Sequence, residues 1–267
     1  MKISVVTISF NQVSYLEECI KSVAMQMGPW EHIIVDPGST DGSREIIRSY
    51  ARHFSHTVLS PDKGPADGLN KGFELASGEI FAYLNSDDVF TPSVFEDVRI
   101  FFENNPNIDV VSGYAKIINE KGELLRYVYS DPLTKRRLAY GGGLLIQPAT
   151  FFRRSAFLLS GGFNPENRSN WDGELVTDMF LNGVKFGLSN KMWAGYRVHD
   201  ESITGTGKLN DRIELWAQRR YQKLMGRSVP AYAGFLRRYY SLSRIIRHPD
   251  IMISRLIGRT VYGSKRK

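Results

Sequence analysis

Glu79-Ile80-Phe81-Ala82-Tyr83-Leu84-Asn85-Ser86-Asp87-Asp88 is the stretch on which the reading of this 267-residue chain turns. Its first half is an unbroken apolar run of strand composition, so two carboxylates emerge where a buried strand should leave its sheet. Adjacent aspartates repel one another. A hard divalent cation with oxygen ligands, Mg2+ or Mn2+, is the economical reason to place them together, and such a cation recruits a diphosphate as a further ligand. The plainer alternative is a solvated turn in which Asp88 caps the helix that Pro92 opens.

On either side of that stretch, the first 113 residues alternate short apolar runs with helical patterns, the arrangement of a parallel α/β sheet. Strands are expected at Ile3 to Ser9, His32 to Asp36, Thr57 to Ser60, Glu79 to Leu84 and Asp109 to Ser112. Between them, Ser14-Tyr15-Leu16-Glu17 has capping-box spacing, with Leu16, Ile20, Val23 and Met27 on one helical face. Ser43-Arg44-Glu45 announces a second helix, and a third runs from about Ala66 to Ala76, ended by Gly78. Ligands of open α/β sheets bind beyond the carboxyl ends of the strands. That rule lines up Ser9-Phe10-Asn11, Asp36-Pro37-Gly38-Ser39, Pro61-Asp62-Lys63-Gly64 and Asp87-Asp88 along one rim. After Ser112 a hairpin is expected around Asn119-Glu120-Lys121-Gly122, then strands at Pro148 to Arg153, Val184 to Leu188 and Trp193 to His199. A helix is expected from Trp171 to Asn182, and a mobile loop from Asp200 to Leu209.

Composition limits the class. With 42% hydrophobic and 12% aromatic residues the chain can build a substantial core, and it does not read as disordered. Asn11-Gln12 interrupts the opening apolar run too early for a signal peptide or a membrane span, so a cytoplasmic body is expected. The single cysteine, Cys19, excludes an internal disulfide framework and a multi-cysteine metal site, and its helical context marks a buried structural thiol.

Taken in order, the rim segments resemble glycosyltransferase family 2, the inverting sugar transferases of the GT-A fold. The resemblance is carried by Ser4-Val5-Val6-Thr7-Ile8-Ser9-Phe10-Asn11, Val35-Asp36-Pro37-Gly38-Ser39-Thr40-Asp41-Gly42-Ser43, Asp67-Gly68-Leu69-Asn70-Lys71-Gly72, Ala76-Ser77-Gly78-Glu79-Ile80 and Leu84-Asn85-Ser86-Asp87-Asp88. Gly161-Gly162-Phe163 and Trp171-Asp172-Gly173-Glu174-Leu175 are similar to the family's acceptor-side segment. The resemblance implies a GT-A-like α/β fold over residues 1–208, with a nucleotide-sugar-binding half (1–113) and an acceptor-side half (114–208). It implies a nucleotide-diphosphate sugar as donor, a UDP-sugar favoured, and Mn2+ or Mg2+ as cofactor. Ser9, Asn11, Asp36, Ser39, Asp67, Lys71, Ser86 and Asp87 then fall in the nucleotide-sugar site, and Asp87, Asp88 and His199 at the metal. Two positions depart from the pattern: Asn85 stands where the metal motif usually begins with Asp, and Pro37 where a second acid often follows.

The chemistry makes its own demands. Transfer from a sugar diphosphate builds charge on the leaving phosphates and requires the acceptor hydroxyl to lose a proton. A cation at Asp88 meets the first demand, with Lys71 or the Arg197 and His199 pair as further positive charge. A carboxylate on the acceptor side meets the second: Asp172 first, Glu174 second. Asp178 would lie about 600° round a helix from Asp172, so these acids cannot all face the sugar. Acids in a first helical turn also favour the macrodipole without any catalytic role. Gly205-Thr206-Gly207-Lys208 imitates the end of a P-loop, but Ser202 and Leu209 break that pattern. The competing functions are a catalytically silent nucleotide-sugar-binding protein and a sugar-nucleotide nucleotidyltransferase, whose glycine-rich basic N-terminal loop is missing.

The net charge of +7 is divided unevenly. From Arg212 to Lys267 there are 14 Lys and Arg against two acids, whereas the preceding residues carry 21 against 26. Residues 209–267 are therefore read as a basic helical extension, its arginines interleaved with Trp216, Phe235, Tyr239, Leu242, Ile246, Ile251 and Leu256. Such helices suit the headgroup plane of an anionic membrane, placing the enzyme peripherally on its inner face with a lipid-linked or glycan acceptor. Packing on the catalytic domain or on a second subunit is the alternative, and nucleic acid the least favoured, since no nucleic-acid motif accompanies the charge.

Overall fold

The computed structural model describes residues 1–200 and 210–250, with the side chains of 210–213 excluded. The P-loop-like segment at Gly205 and the tail from Ile251, with Arg255 and Arg259, lie outside the described residues.

The opening half builds as the alternation predicts: β1 (Ile3–Ile8), α1 (Val13–Ala24), β2 (Trp30–Val35), α2 (Ser43–Ser49), β3 (His56–Val58), α3 (Pro65–Leu75) and β4 (Ile80–Asn85). These four strands pair in parallel, in the order β3-β2-β1-β4. Next come β5 (Val89–Phe90), α4 (Val94–Asn104), β6 (Val110–Ile118), β7 (Leu124–Val128), α5 (Lys135–Ala139), β8 (Thr150–Arg153), α6 (Arg154–Leu159), α7 (Trp171–Leu181), β9 (Phe186–Arg197), α8 (Asn210–Met225) and α9 (Ala233–Arg247). One nine-stranded sheet runs β3-β2-β1-β4-β8-β6-β9-β5, with β7 paired to β6. β8, β5 and β7 run antiparallel to their neighbours, so the α/β fold has a mixed sheet whose first four strands are parallel. It draws strands from both sides of residue 113.

The unbroken apolar run of β4 is explained by burial on both faces. Ile80, Ala82 and Leu84 point into a core shared with Cys19, Val23, Phe95 and Trp193. Phe81 and Tyr83 point into the opposite core with Leu69, Phe73, Phe157 and Phe163. Gly72 lets α3 lie directly on β1, since a Cβ there would meet the Val6 side chain at 2.4 Å.

Several local expectations are corrected. The expected strand at 109–112 and the first arm of the hairpin are one strand, β6. The two short strands expected at 184–199 are likewise one, β9, which pairs along β6 with register shifts near Tyr114. Ser14 does not cap α1. The first amides there, on Gln12 and Val13, are met by Ser43 Oγ (3.0 Å) and Asp41 Oδ2 (2.8 Å) from the neighbouring rim loop. Met27 lies beyond the end of α1 and is exposed. α3 ends at Leu75, before Gly78. Asp88 caps no helix, as α4 begins at Val94 after Ser93.

Glu31 ties the amino ends of β1, β2 and β4 together. Its buried carboxylate accepts from Lys2 Nζ (2.6 Å), Ser4 Oγ (2.5 Å), Ser77 N (2.6 Å) and Gly78 N (3.1 Å). Burial works to raise its pKa, but these donors outweigh it and hold the group at about 2. A depressed carboxylate contributes stability in full above its unfolded value near ~4.3 and loses it as pH falls towards the folded value. Glu31→Gln is expected to cost ~1–3 kcal/mol near neutrality and much less near pH ~2, as checked by denaturant unfolding at the two pH values.

Candidate active site

Four strand ends build the rim. At the carboxyl ends of β1 and β2, Ser9 and Asp36 sit side by side, with Ser9 N donating to Val35 O (2.9 Å). Asp36 Oδ1 accepts from Gly38 N (3.0 Å), Ser39 N (2.8 Å) and Arg44 Nε (2.9 Å). Burial opposes its ionisation, yet Ser39, Arg44 and Gly38 hold the carboxyl below its ordinary value. The other oxygen, Oδ2, is buried without a partner, and so is Ser9 Oγ. Asn11 adopts a left-handed backbone (φ 52°), which asparagine tolerates. Its N–H donates to Ser39 Oγ (2.8 Å), and its Oδ1 accepts from Thr40 N (2.9 Å). Asn11 and Ser39 thus fasten two rim loops together.

The Asp87-Asp88 turn follows β4 and is closed by Asp88 N donating to Asn85 O (3.0 Å). Asp88 is 1% exposed. One carboxylate oxygen accepts from the backbone N–H of Arg197 (2.8 Å), and the other is buried with no partner. Burial and the adjacent Asp87 charge push its pKa well above the carboxylate range, only partly offset by Arg197 and by a hydrogen bond from Asn85. Asn85 therefore supplies a donor where a further acid would have added repulsion, and its amide also reaches Gln147 Oε1 (3.1 Å). Asp87 Oδ2 meets His199 Nε2 at 3.1 Å, and the His199 ring lies 4.8 Å from that of Tyr15.

Among the described residues no group of three or more His, Cys, Asp or Glu forms a ready-made metal cage. The residues present nonetheless fit Mg2+ or Mn2+, which bind through one or two carboxylates and complete their shell with substrate phosphates and water. The orphaned Asp88 oxygen, with Asp87 and His199 beside it, would supply such a partial shell.

Arg197 does not reach towards a diphosphate, as expected above. Its buried guanidinium lies under the turn, donating to Asp87 O (2.8 Å), Asn119 O (3.0 Å), Glu120 O (3.1 Å) and Glu18 Oε2 (2.5 Å), with Tyr15 against its face at 5.0 Å. All three guanidinium nitrogens donate inside the protein, as a buried guanidinium requires. Lys71 is similarly occupied: its Nζ meets Pro61 O (2.8 Å) and Asp67 Oδ2 (3.1 Å), and Asp67 also accepts from Lys63 N (2.9 Å). That pair fixes the loop before α3. Ser86 is buried, its N–H donating to Ile8 O (3.2 Å).

On the acceptor side, geometry separates the two acids of α7. Asp172 is partly buried, accepts from Gly173 N (2.8 Å), and is pushed up in pKa by burial. The Tyr83 phenol is buried, and its pKa is raised by burial first and then by the charges of Asp172 and Asp88. Glu174 turns the other way and accepts from Asn167 Nδ2 (2.7 Å) and Asn164 Nδ2 (3.2 Å). Asp178 pairs with Lys223. Asn70 holds both the N–H (3.0 Å) and the carbonyl (2.8 Å) of Phe163. The Gly161-Gly162-Phe163 turn is thereby pinned to α3, and Phe163 packs on Tyr83 and Trp171.

Sequence reasoning missed Tyr83, Gln147, Arg44 and Glu18. Tyr83 is one residue of an apolar strand in the sequence, and the partners of the other three lie 8 to 179 residues away. Cys19 is the buried thiol expected, its pKa raised mainly by burial.

A family model described as glycosyl transferase family 2 matches residues 4–159, more than half of the chain, including the loops after β1, β2, β3 and β4 but not Asp172, Arg197 or His199. The chain belongs to that family. Among its relatives is an uncharacterized glycosyltransferase of Nostoc, 32% identical over 216 residues, covering 74% of this chain and 65% of the relative. A putative teichuronic acid biosynthesis glycosyltransferase of Bacillus subtilis is 33% identical over 132 residues, 48% of this chain and 52% of that protein. The chain thus spans between half and two thirds of the length of these family 2 relatives. The GT-A architecture is matched by S. aureus TarS 1-349 in complex with UDP-GlcNAc, with TM-score 0.66 and 19% identity over 88% of this chain and 69% of that one. It is matched also by the mannosyltransferase PcManGT from Pyrobaculum calidifontis in complex with GDP-Man and Mn2+, with TM-score 0.63 and 15% identity over 99% and 76%.

Proposed function

We propose that this family 2 chain is a metal-dependent inverting glycosyltransferase that moves a sugar from a nucleotide diphosphate, a UDP-sugar favoured, to a hydroxyl of a glycan or lipid-linked saccharide in surface-polysaccharide synthesis. One observation carries the reading: Ser9 Oγ, Asp36 Oδ2 and Asp88 Oδ2, at the carboxyl ends of three neighbouring parallel strands, are all buried and unpartnered. Leaving buried polar atoms unmade costs about 1–3 kcal/mol each, so three on one rim mark a site completed by a polar ligand. The names of the Bacillus and TarS relatives support the polysaccharide context and the UDP-sugar.

In this mechanism Ser9 and Asp36 hold the nucleoside end of the donor, and Asp87, Asp88 and His199 are the residues that would hold the cation. When bound, that cation supplies Lewis-acid stabilisation of the leaving diphosphate. Asp172 takes the proton of the acceptor hydroxyl as its oxygen forms a bond to the anomeric carbon. The bond from that carbon to the diphosphate oxygen breaks on the opposite face, which inverts the configuration. The raised pKa of Asp172 suits a base, since a more basic carboxylate accepts the proton more readily.

A thermal-shift panel of UDP, GDP and dTDP, each with and without Mn2+, tests the donor reading. One nucleotide is expected to stabilise the protein only with metal, by ~2.7 kcal/mol at a hundredfold excess over its Kd. Stabilisation by none, or equally without metal, would remove the proposed donor site.

The described part of the tail supports membrane association. α9 packs its inner face through Leu236 and Tyr240 and ties Arg244 and Arg247 to the buried Asp131. Its outer face exposes Phe235 (72%), Tyr239, Leu242 and Ile246 (72%), the spacing of one helical stripe, beside the exposed Arg238. A helix that only packed on the body would turn polar residues outward. No described helix is long and apolar enough to cross a membrane, so the stripe is proposed to lie in the headgroup plane. Phe235→Ser with Ile246→Ser is expected to weaken sedimentation with anionic liposomes at least ~10-fold. Equal binding by both forms would refute the surface.

A further inference from the structure

Away from the rim, a cavity of about 430 Å³ opens between residues 164–169, the outer face of α7 and helix α8. Arg168 stands on its loop wall, and Arg219, Arg220 and Lys223 on its α8 wall, against the carboxylates of Glu166 and Glu174. Glu174 is already held by two asparagines and Lys223 by Asp178. Among the described residues neither Arg168 nor Arg219 has a carboxylate partner. Arg220 lies over Trp216 with 4.5 Å between guanidinium and ring, and its Nε–H is buried without an acceptor. Burial, with Arg237 nearby, lowers its pKa to about 10, the mark of a cation insufficiently compensated by its surroundings. A buried unpaired charge is costly, and guanidinium forks from two walls match an anion offering acceptor oxygens on several sides.

We infer that this cavity binds a phosphate or diphosphate group carried by the acceptor. The inference rests on the transferase reading above. Glu174 lies about 200° round α7 from Asp172, so roughly a helix diameter, ~10 Å, separates the cavity from the catalytic face. The phosphate therefore sits on a part of the acceptor set back from the hydroxyl that receives the sugar. Trp216, which lines the cavity, offers an apolar surface for the intervening saccharide.

Calorimetric titration of the full chain with inorganic pyrophosphate, with chelator present to exclude metal-bridged binding on the rim, tests the site. Wild type is expected to bind. Affinity should fall ~10-fold for each guanidinium removed, in Arg168→Gln with Arg219→Gln and further with Arg220→Met. The first two positions are exposed, so that pair remains informative if Arg220→Met fails to fold. No pyrophosphate binding, binding unchanged in the Gln pair, or equal affinity for glucuronate would overturn the phosphate assignment. The two sources of the group are separated with neutral phosphatidylcholine vesicles carrying a prenyl diphosphate. Sedimentation that depends on Arg168 and Arg219 assigns the group to lipid, whereas pyrophosphate binding without it assigns the group to a soluble phosphorylated glycan. Nucleotide stabilisation with Mn2+ should be unchanged in every variant. Its persistence when pyrophosphate binding fails refutes this cavity alone, and its absence from wild type refutes the transferase reading.

Discussion

Asp88→Asn is expected to lower sugar transfer by about three orders of magnitude while raising the melting temperature of the metal-free protein. The loss follows from the role proposed for the carboxylate: removing the anion that holds a Lewis acid at the leaving diphosphate forfeits several kcal/mol, and each 1.36 kcal/mol is about tenfold in rate. The gain in stability follows from the same geometry. Asp88 is buried, has one oxygen with no partner, and is held well above the ordinary carboxylate range by burial and by Asp87. Without a cation the fold disfavours the ionised carboxylate, and an amide of the same shape has no ionised form to accommodate. Each kcal/mol recovered should raise Tm by ~2–4 °C in a chain of this size. Scanning calorimetry with chelator and a turnover assay with Mn2+ check the two halves. A variant that is both active and less stable would show that Asp88 serves the fold rather than the donor.

Asp172→Asn should reduce kcat by about 10²–10⁴ and leave donor affinity unchanged, because the lost group acts on the acceptor proton. Asparagine keeps the size of the side chain and can still accept from Gly173 N, so folding is expected to persist. The wild-type kcat/KM profile should lose activity on the acid side at a pH above the ordinary carboxylate value, since burial raises Asp172 and only its ionised form can take a proton. Glu174→Gln provides the contrast. With its carboxylate held by Asn164 and Asn167, that change should act on the loop and on stability more than on kcat. Unchanged turnover in Asp172→Asn would remove this carboxylate from the mechanism.

The rim was legible because its signals are local. A buried strand that ends in Asn85-Ser86-Asp87-Asp88, and short polar segments after β1 and β2, can be read without knowing what lies across the sheet. What escaped was settled by distant partners. The helix α1 takes its caps from Asp41 and Ser43 rather than from its own Ser14, because the Ser9 and Asp36 loops are fastened to one another. Arg197 looked like a phosphate ligand at the end of a strand, yet acceptors in three other segments claim its guanidinium. The joining of short strands into β6 and β9 is a matter of pairing along their shared edge, which the polar interruptions in each sequence conceal. That Glu174 is held by Asn164 and Asn167 likewise depends on a loop folded back onto α7. The outer stripe of α9 was present in the sequence pattern, but only the packing of its inner face shows that the stripe is left over.

The bond from Arg197 to Asp88 comes from the main chain, whereas the guanidinium of the same residue serves Asp87, the hairpin and Glu18. Any amino acid other than proline offers that amide. A substitution here would release the hairpin and Glu18 while leaving the main-chain bond to Asp88 available. The two roles of this one position are separable.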